Sequence, residues 1–177
     1  MRSILQLQNE CQRIIYFGLG FIQVVVSDEV RYHFYDDSIK TITDDPHNHR
    51  YDFTSEILGG HLVNMRYNIL QGYSHQLIQS SCEENVPAST EIREVSIEVA
   101  EVEHLYRGNS YEMKHDQLHT VQAIGPTITK LTRGPVVKEY TDVAVRCGKK
   151  NVCPFSVKVG EAQLWDKVAE IRGKILV

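Results

Sequence analysis

The sequence lacks the signals of membrane, secreted and disulfide-stabilised proteins. Its 177 residues contain no apolar run long enough to span a bilayer and no signal-peptide pattern, and the four cysteines, Cys11, Cys82, Cys147 and Cys153, include no C-x-x-C pair. This pattern predicts a reduced, cytoplasmic protein without a membrane partner. Cys147 and Cys153 could close a small loop, although their spacing is typical of neither a zinc site nor a disulfide.

An excess of charge of one sign is missing as well. The 19 basic and 23 acidic residues give a net charge of -4. Because the basic residues are also scattered, the composition favours neither a nucleic acid polymer nor an anionic membrane as the main partner. No G-x-S-x-G motif occurs, and Gly18-Leu19-Gly20 lacks the third glycine of a dinucleotide fingerprint. These absences leave a small molecule as the expected ligand.

The sequence is rich in short β-type segments separated by turn residues. Its length predicts a single domain, residues 1–177, with an ordinary apolar content of 42%. Val95, Ile97 and Val99 alternate with polar residues, which predicts a strand with one wet face, and the alternation slips near Ala100, where a bulge is expected. Strands are predicted over residues 22–26, 30–35, 56–58, 61–70, 73–80, 91–106, 110–113, 120–124, 127–132 and 136–146, with a turn at Gln71-Gly72 and a long polar loop over residues 82–90.

Two segments have the apolar spacing of amphipathic helices instead. They cover residues 3–15 and residues 161–176, and Trp165 is expected to brace the second helix on a sheet. Many strands without intervening helices predict a mainly β fold. We expect a closed sandwich or barrel over about residues 21–146, with both helices packed outside it.

The segment Asp45-Pro46-His47-Asn48-His49-Arg50 is the most informative stretch of the chain. On an extended strand, His47 and His49 point the same way and can grip one metal ion. A third ligand must come from another segment, and His119 is the candidate; packing without a metal is the alternative. The other histidines lack such company and are predicted to be surface or packing residues: His33, His61, His75, His104 and His115.

The segments around these histidines resemble the two motifs of the cupin superfamily. The first motif, G-x5-H-x-H-x3/4-E-x6-G, is matched by His47, His49 and Gly60, and the second, G-x5-P-x-G-x2-H-x3-N, by Gly108 and His119. The remaining motif positions hold other residues, namely Thr41, Phe53 or Thr54, Lys114, Asp116 and Ala123.

This resemblance implies a double-stranded β-helix, the cupin jelly-roll barrel, with N- and C-terminal α-helices packed outside. The glutamate ligand of the first motif is missing, so the chain is similar to the thiol dioxygenases, in which three histidines hold ferrous iron. The implied ligands of Fe(II) are His47, His49 and His119, and zinc, manganese and nickel are alternatives. Cupins commonly pair through edge strands, so a homodimer is expected.

The implied activity is that of a non-haem iron dioxygenase or oxygenase acting on a small polar or anionic substrate. The thiol dioxygenases carry serine, histidine and tyrosine after the third ligand, and this sequence has Thr129, Leu131 and Arg133 there, so a substrate other than cysteine is expected. The predicted catalytic residues, which would orient the substrate, are Tyr51, Tyr111 and Arg133, and the predicted substrate-binding residues are Arg50 and Arg66.

Three alternatives stay open. Asp52 or Glu56 would add a carboxylate ligand only if the chain turned sharply after His49, whereas Tyr51 and Phe53 are expected to line the interior. The chain could be a non-catalytic cupin module that captures a small anionic metabolite or nucleotide. It could also be a metal-free isomerase or epimerase with a histidine as general base.

Overall fold

The fold is mainly β, with one helix near each end of the chain. The structure is a computed structural model that describes residues 2–81, 92–150, 154 and 157–176. Its elements are α1 (Ile4–Glu10), β1 (Arg13–Phe17), β2 (Phe21–Val25), β3 (Val30–Tyr35), β4 (Phe53–Gly59), β5 (His61–Ser80), β6 (Ile92–Tyr106), β7 (Ser110–Met113), β8 (Leu118–Ala123), β9 (Thr127–Arg133), β10 (Thr141–Arg146) and α2 (Glu161–Leu176).

The strands form two antiparallel sheets. The first sheet has six strands in the order β1-β2-β3-β9-β4-β7, and the second has the order β10-β5-β6, with β8 also paired to β5. Among the described residues no ladder joins the two sheets, so the strands form a sandwich and the predicted closed barrel is not found. The reason is that β8 and β10 pair along successive stretches of the long strand β5 rather than with a strand of the first sheet.

Side-chain alternation along the strands builds two apolar layers. In β4, Phe53, Ser55 and Ile57 are buried while Thr54 and Glu56 are exposed, which is the period-two pattern of a sheet with one wet face. The layer between the sheets contains Phe21, Tyr35, Phe53, Ile57, Leu62, Leu105, Tyr111, Met113 and Leu131.

Helix α2 covers the outer face of the first sheet. Its buried side chains, Trp165 among them, pack against Ile22 and Phe34, so the predicted helix over residues 161–176 and its outside position are confirmed. No helix in the described part of the chain is long and apolar enough to cross a membrane.

The N-terminal helix is shorter than predicted. It begins with a capping box in which Ser3 and Gln6 exchange side-chain and backbone hydrogen bonds, and it ends at Glu10, with Cys11 as its C-cap. Residues 13–17, predicted as its last turns and the residues after them, form β1 and pair with β2. Ile14 and Tyr16 still face the layer under α2, because a strand of period two places them on one side.

The predicted turn at Gln71-Gly72 is wrong, since β5 runs through it. The pairing of β5 with β6 instead shifts register between Leu70 and His75, and a side chain at Gly72 would meet the Ser96 side chain. The bulge predicted near Ala100 is confirmed, because Arg66 pairs with Glu101 while Tyr67 pairs with Val99. The strand predicted over residues 136–146 is shorter in the structure, where β10 covers only Thr141–Arg146. The predicted loop over residues 82–90, like Cys153, lies outside the described residues.

Candidate metal centre

The extended segment that contains His47 and His49 adds to the second sheet. The backbone N–H of His47 donates to the carbonyl of His119 at 3.1 Å, and the N–H of His119 donates to the carbonyl of His47 at 2.9 Å. Ala144 N–H donates to the Pro46 carbonyl at 2.8 Å, so the segment is tied to β8 and to β10 at once. The segment is held by isolated bridges and is not the regular strand that the sequence predicts.

The side chain of Asn48 anchors this segment to β10. Its side chain donates to Asp142 Oδ2 at 2.7 Å, and its Oδ1 accepts the Asp142 backbone N–H at 2.7 Å. Asn48 is 3% exposed, so its amide is buried. Because side chains alternate along an extended segment, His47 and His49 lie on the face opposite to that amide. His47 and His49 consequently point together toward His119.

The three predicted imidazoles meet in the folded chain. One nitrogen from each of His47, His49 and His119 lies within 4.8 Å of the others, and the Nε2 atoms of His49 and His119 are 2.9 Å apart. Two imidazole nitrogens bound to one ion at about 2.1 Å and at a right angle would be about 3 Å apart. His119 is 3% exposed and the other two rings are half-buried. The spacing therefore fits a single small cation.

Hydrogen bonds on the far side of two rings direct their lone pairs inward. His119 Nδ1 lies 2.9 Å from Asn64 Oδ1, and the orientation of that amide follows from its Nδ2, which donates to the Glu103 carboxylate at 2.8 Å. His47 Nδ1 lies 3.1 Å from the Asp45 carbonyl. Both partners can only accept, so both rings carry the proton on Nδ1 and keep the lone pair on Nε2, and the Nε2 of His119 lies within hydrogen-bond distance of His49 Nε2.

The electrostatics favour the neutral form of all three rings. Burial is the main cause that lowers the pKa of His47, and it lowers the pKa values of His49 and His119 well below the ordinary value. Charge on a neighbouring imidazole lowers the pKa values of His49 and His119 further. Neutral imidazole is the form that binds metals, so the ligands need not lose a proton near neutral pH.

Aromatic side chains and a cleft surround the three histidines. The Phe53 ring lies 4.7 Å from the ring of His49 and 5.8 Å from that of His119, and the Tyr51 ring lies 5.8 Å from that of His49. A cleft of about 900 Å³ is lined by His47 but by neither of the other two histidines. A small molecule could therefore approach from the side of His47, with Phe53 and Tyr51 against the other rings.

The predicted tyrosines lie in the interior near this centre. The Tyr51 hydroxyl accepts from Arg31 Nη1 at 3.0 Å. Tyr111 is buried against Phe53, with ring centroids 6.0 Å apart, and is hydrogen-bonded to Ser55. Burial raises the pKa of Tyr111. Tyr111 therefore stays a neutral phenol that can donate a hydrogen bond but not act as a base.

The predicted arginines are placed differently from one another. Arg133 stacks on Tyr51, with Cζ 5.0 Å from the ring centroid. Arg50, the residue just before Tyr51, is half-buried. Arg66 is directed to Glu103, at 3.1 Å, and donates to the Glu112 carbonyl at 3.0 Å. Arg66 therefore supports the second sheet, and its contacts in the described part of the chain include Glu101, Glu103 and Glu112.

The alternative carboxylate ligands do not reach the centre. Asp52 accepts from the His115 backbone at 2.8 Å and pairs with Lys114 at 3.0 Å, while Glu56 is exposed. His115, four residues before His119, is thereby held away, with its Nδ1 2.8 Å from Asp52. In the described residues the cluster consists of three imidazoles without a carboxylate.

Two residues of the site were not predicted. Asn64 is 0% exposed although it is an amide, and its place in the apolar run Leu62-Val63-Asn64-Met65 was the one available signal. Nothing in the spacing of Arg31 distinguishes it from the other arginines of the chain. Both act through partners that lie far away in the sequence.

His33, predicted to be a surface or packing residue, is a buried packing residue that should contribute to the loss of stability in acid. Burial, followed by the charge of Arg31, lowers its pKa to about 3. In the unfolded chain His33 takes up a proton near pH 6.5, whereas in the folded chain it stays neutral down to about pH 3. The free energy of unfolding therefore falls as the pH drops below about 6.5 and levels off only near the pKa of the folded state. Between about pH 7.5 and about pH 4.5 this group should remove about 2–3 kcal/mol.

The measurement is urea unfolding of metal-stripped wild type and His33→Gln at both pH values. Gln keeps a polar partner for Gln23 Nε2, which lies 3.1 Å from His33 Nε2. The variant is expected to lose less stability on acidification than the wild type by that amount. Equal losses in the two proteins would contradict the prediction.

Comparisons with known proteins do not identify a family for this chain. No protein-family model matches the sequence, and no curated protein is similar to it. Partly similar solved structures include Drosophila melanogaster CENP-C bound to CAL1, with 7% identity, 64% of this chain, 75% of that chain and a TM-score of 0.35. A second is hydroxypropylphosphonic acid epoxidase from S. wedmorenis, with 11% identity over 69% of this chain and 55% of that chain and a TM-score of 0.36. A third is hydroquinone 1,2-dioxygenase from Sphingomonas sp. TTNP3 with 4-hydroxybenzoate bound, with 14% identity over 62% of this chain and 63% of that chain and a TM-score of 0.31. At these TM-scores the similarities carry no argument about function.

Proposed function

We propose that this protein is a mononuclear metalloprotein of the cupin class, in which His47, His49 and His119 hold one divalent transition metal, and that it acts as a non-haem iron oxygenase on a small anionic substrate. The observation that carries the proposal is the 2.9 Å approach of two Nε2 atoms, with the third imidazole beside them. Imidazole suits iron, zinc, copper and nickel, and the preference for Fe(II) comes from the resemblance to three-histidine dioxygenases.

The donor set fits such an ion. Asn64 and the Asp45 carbonyl fix the proton of two rings on Nδ1, so each presents one lone pair, and such outer partners commonly determine metal affinity. When bound, the metal would supply Lewis acidity and, as Fe(II), redox chemistry with dioxygen.

The surrounding residues have separate tasks in this proposal. Phe53 and Tyr51 exclude water from one side of the imidazoles, which strengthens every electrostatic interaction there. The cleft beside His47 gives entry to a small molecule. Tyr111, held as a phenol, can donate a hydrogen bond within the interior.

The test begins with protein stripped by a chelator and reconstituted with Fe(II) without oxygen. Mass spectrometry of bound metals is expected to find about one ion per chain. Oxygen uptake is then measured with a panel of thiols, amino acids and small organic acids, and at least one member is expected to raise it. A metal-loaded protein that consumes no oxygen with any of them would contradict the oxygenase and favour the binding module. A protein that retains no metal would contradict the whole proposal.

A further inference from the structure

Two guanidinium groups share one tyrosine ring beside the candidate metal centre. Arg31 Cζ lies 5.5 Å and Arg133 Cζ 5.0 Å from the centroid of the Tyr51 ring, and Arg31 Nη1 donates to the Tyr51 hydroxyl at 3.0 Å. The centroid of that ring lies 5.8 Å from the centroid of the His49 ring. A pair of positive charges therefore lies one aromatic ring away from the imidazoles.

Strand alternation directs these arginines toward the interior. In β3, Phe34 packs under α2, whereas Tyr35 belongs to the layer between the sheets, so Arg31, four residues before Tyr35, faces that layer as well. Leu131 of β9 lies opposite Arg31, belongs to the same layer, and is followed two residues later by Arg133. Both residues are half-buried.

Within the part of the chain that the structure describes, no carboxylate balances the positive charge of this pair, and Arg133 Nε donates instead to the Asp28 backbone carbonyl. Of the residues that the structure describes, none forms an ion pair with Arg31 or Arg133. Arg31 Nε is buried and has no hydrogen-bond partner. Burial, and then the charges of Arg133, Arg13 and Arg50, lower the pKa of Arg31, with only Tyr51 acting in the opposite sense. A desolvated, uncompensated guanidinium costs folding free energy unless an anion joins it.

A second arginine–tyrosine stack in the same chain shows what a balanced one has. Arg2 Cζ lies 5.7 Å from the Tyr32 ring centroid, and Arg2 Nη1 donates to the Tyr32 hydroxyl at 2.5 Å. Here Arg2 Nε also pairs with Glu10 at 2.9 Å. The two stacks share their geometry and differ in the carboxylate. The missing partner of Arg31 is therefore a feature of that site and not of arginine–tyrosine stacking.

We propose that Arg31 and Arg133 form a binding site for an oxyanion, and that it holds the carboxylate of a small organic acid. The planar fork of a guanidinium matches the two oxygens of a carboxylate, and both guanidinium groups lie within 5.5 Å of the centroid of the Tyr51 ring. That this acid is the substrate of the adjacent metal centre rests on the proposed function. The anion site itself does not.

The test uses metal-stripped full-length protein, so that it does not depend on the metal. Arginine side-chain N–H resonances are followed by NMR during titration with succinate and, separately, inorganic phosphate, each compared with sodium chloride at matched ionic strength. Saturable binding of succinate is expected, weakened at least about tenfold in Arg31→Gln and in Arg133→Gln and unchanged in Arg2→Gln. Tighter binding of phosphate than of succinate would overturn the carboxylate assignment.

Thermal unfolding in chloride buffer separates this site from a structural stack. Because Arg31 carries an unbalanced charge, Arg31→Gln is expected to unfold at the wild-type temperature or above it, whereas Arg2→Gln should unfold lower. A lower unfolding temperature for Arg31→Gln, together with no succinate binding by the wild type, would overturn the site. Succinate binding by a protein that takes up no metal would overturn the proposed function and leave the oxyanion site standing.

Discussion

Replacement of His119 by alanine is expected to abolish stoichiometric metal binding. His119 is the most buried of the three imidazoles and lies opposite His47 in the sheet. Its loss leaves only two half-buried nitrogen donors for the metal. We expect the affinity for Fe(II) or Zn(II) to fall by at least about a hundredfold, the upper end of what a lost outer partner alone costs. The measurement is competition of the purified variant against a chelator of known affinity.

His104→Ala is the matched control for this variant. His104 also lies in a close histidine pair, with its Nδ1 3.1 Å from His61 Nε2, but it is exposed and belongs to no cluster with a third ligand in the described residues. It should keep the metal affinity of the wild type. Retention of metal by His119→Ala, or an equal loss in His104→Ala, would place the ion elsewhere.

Asn64→Leu is expected to weaken metal binding without touching a ligand. Leucine has a similar volume but cannot accept the Nδ1 proton of His119, so that ring loses the partner that keeps its lone pair directed inward. An outer partner of this kind is worth about 10–100-fold in metal affinity. The orphaned imidazole N–H should also cost about 1–3 kcal/mol in stability, whereas Glu103 keeps its ion pair with Arg66.

Stability and metal affinity are measured separately for this variant, the first by urea unfolding of stripped protein. Asn68→Leu is the control, since Asn68 lies on the same strand and donates to Glu98 at 3.4 Å in an exposed pair. It should change neither quantity appreciably. A variant at Asn64 that is destabilised but binds metal as the wild type does would show that the amide serves folding alone.

The position of the site explains why these two residues matter together. The segment with His47 adds to β8 and β10, which both pair with β5, and β5 supplies Asn64. Ligands and outer partner thus come from neighbouring rows of one sheet. The first sheet supplies Phe53 and the stacked arginines from the other side of the interior.

The pattern of residues along the chain was enough to predict several parts of this structure. The spacing of two histidines in an extended segment and the position of His119 identified three imidazoles that the folded chain brings together. The β-type segments identified the strands β2 and β3, the slip in period-two alternation identified the bulge near Ala100, and helical spacing identified α2. These features depend on local periodicity, which a sequence carries directly.

Only the tertiary structure decided the partners of those residues. Arg66 and Arg31 are both arginines of β-type segments, yet one is neutralised by Glu103 and the other faces Tyr51 without a carboxylate. Asn64 became an outer partner because β8 pairs with β5 in the register that places His119 beside it. Strand pairing and register depend on contacts between distant segments, and a shift of one residue would turn each side chain to the opposite face.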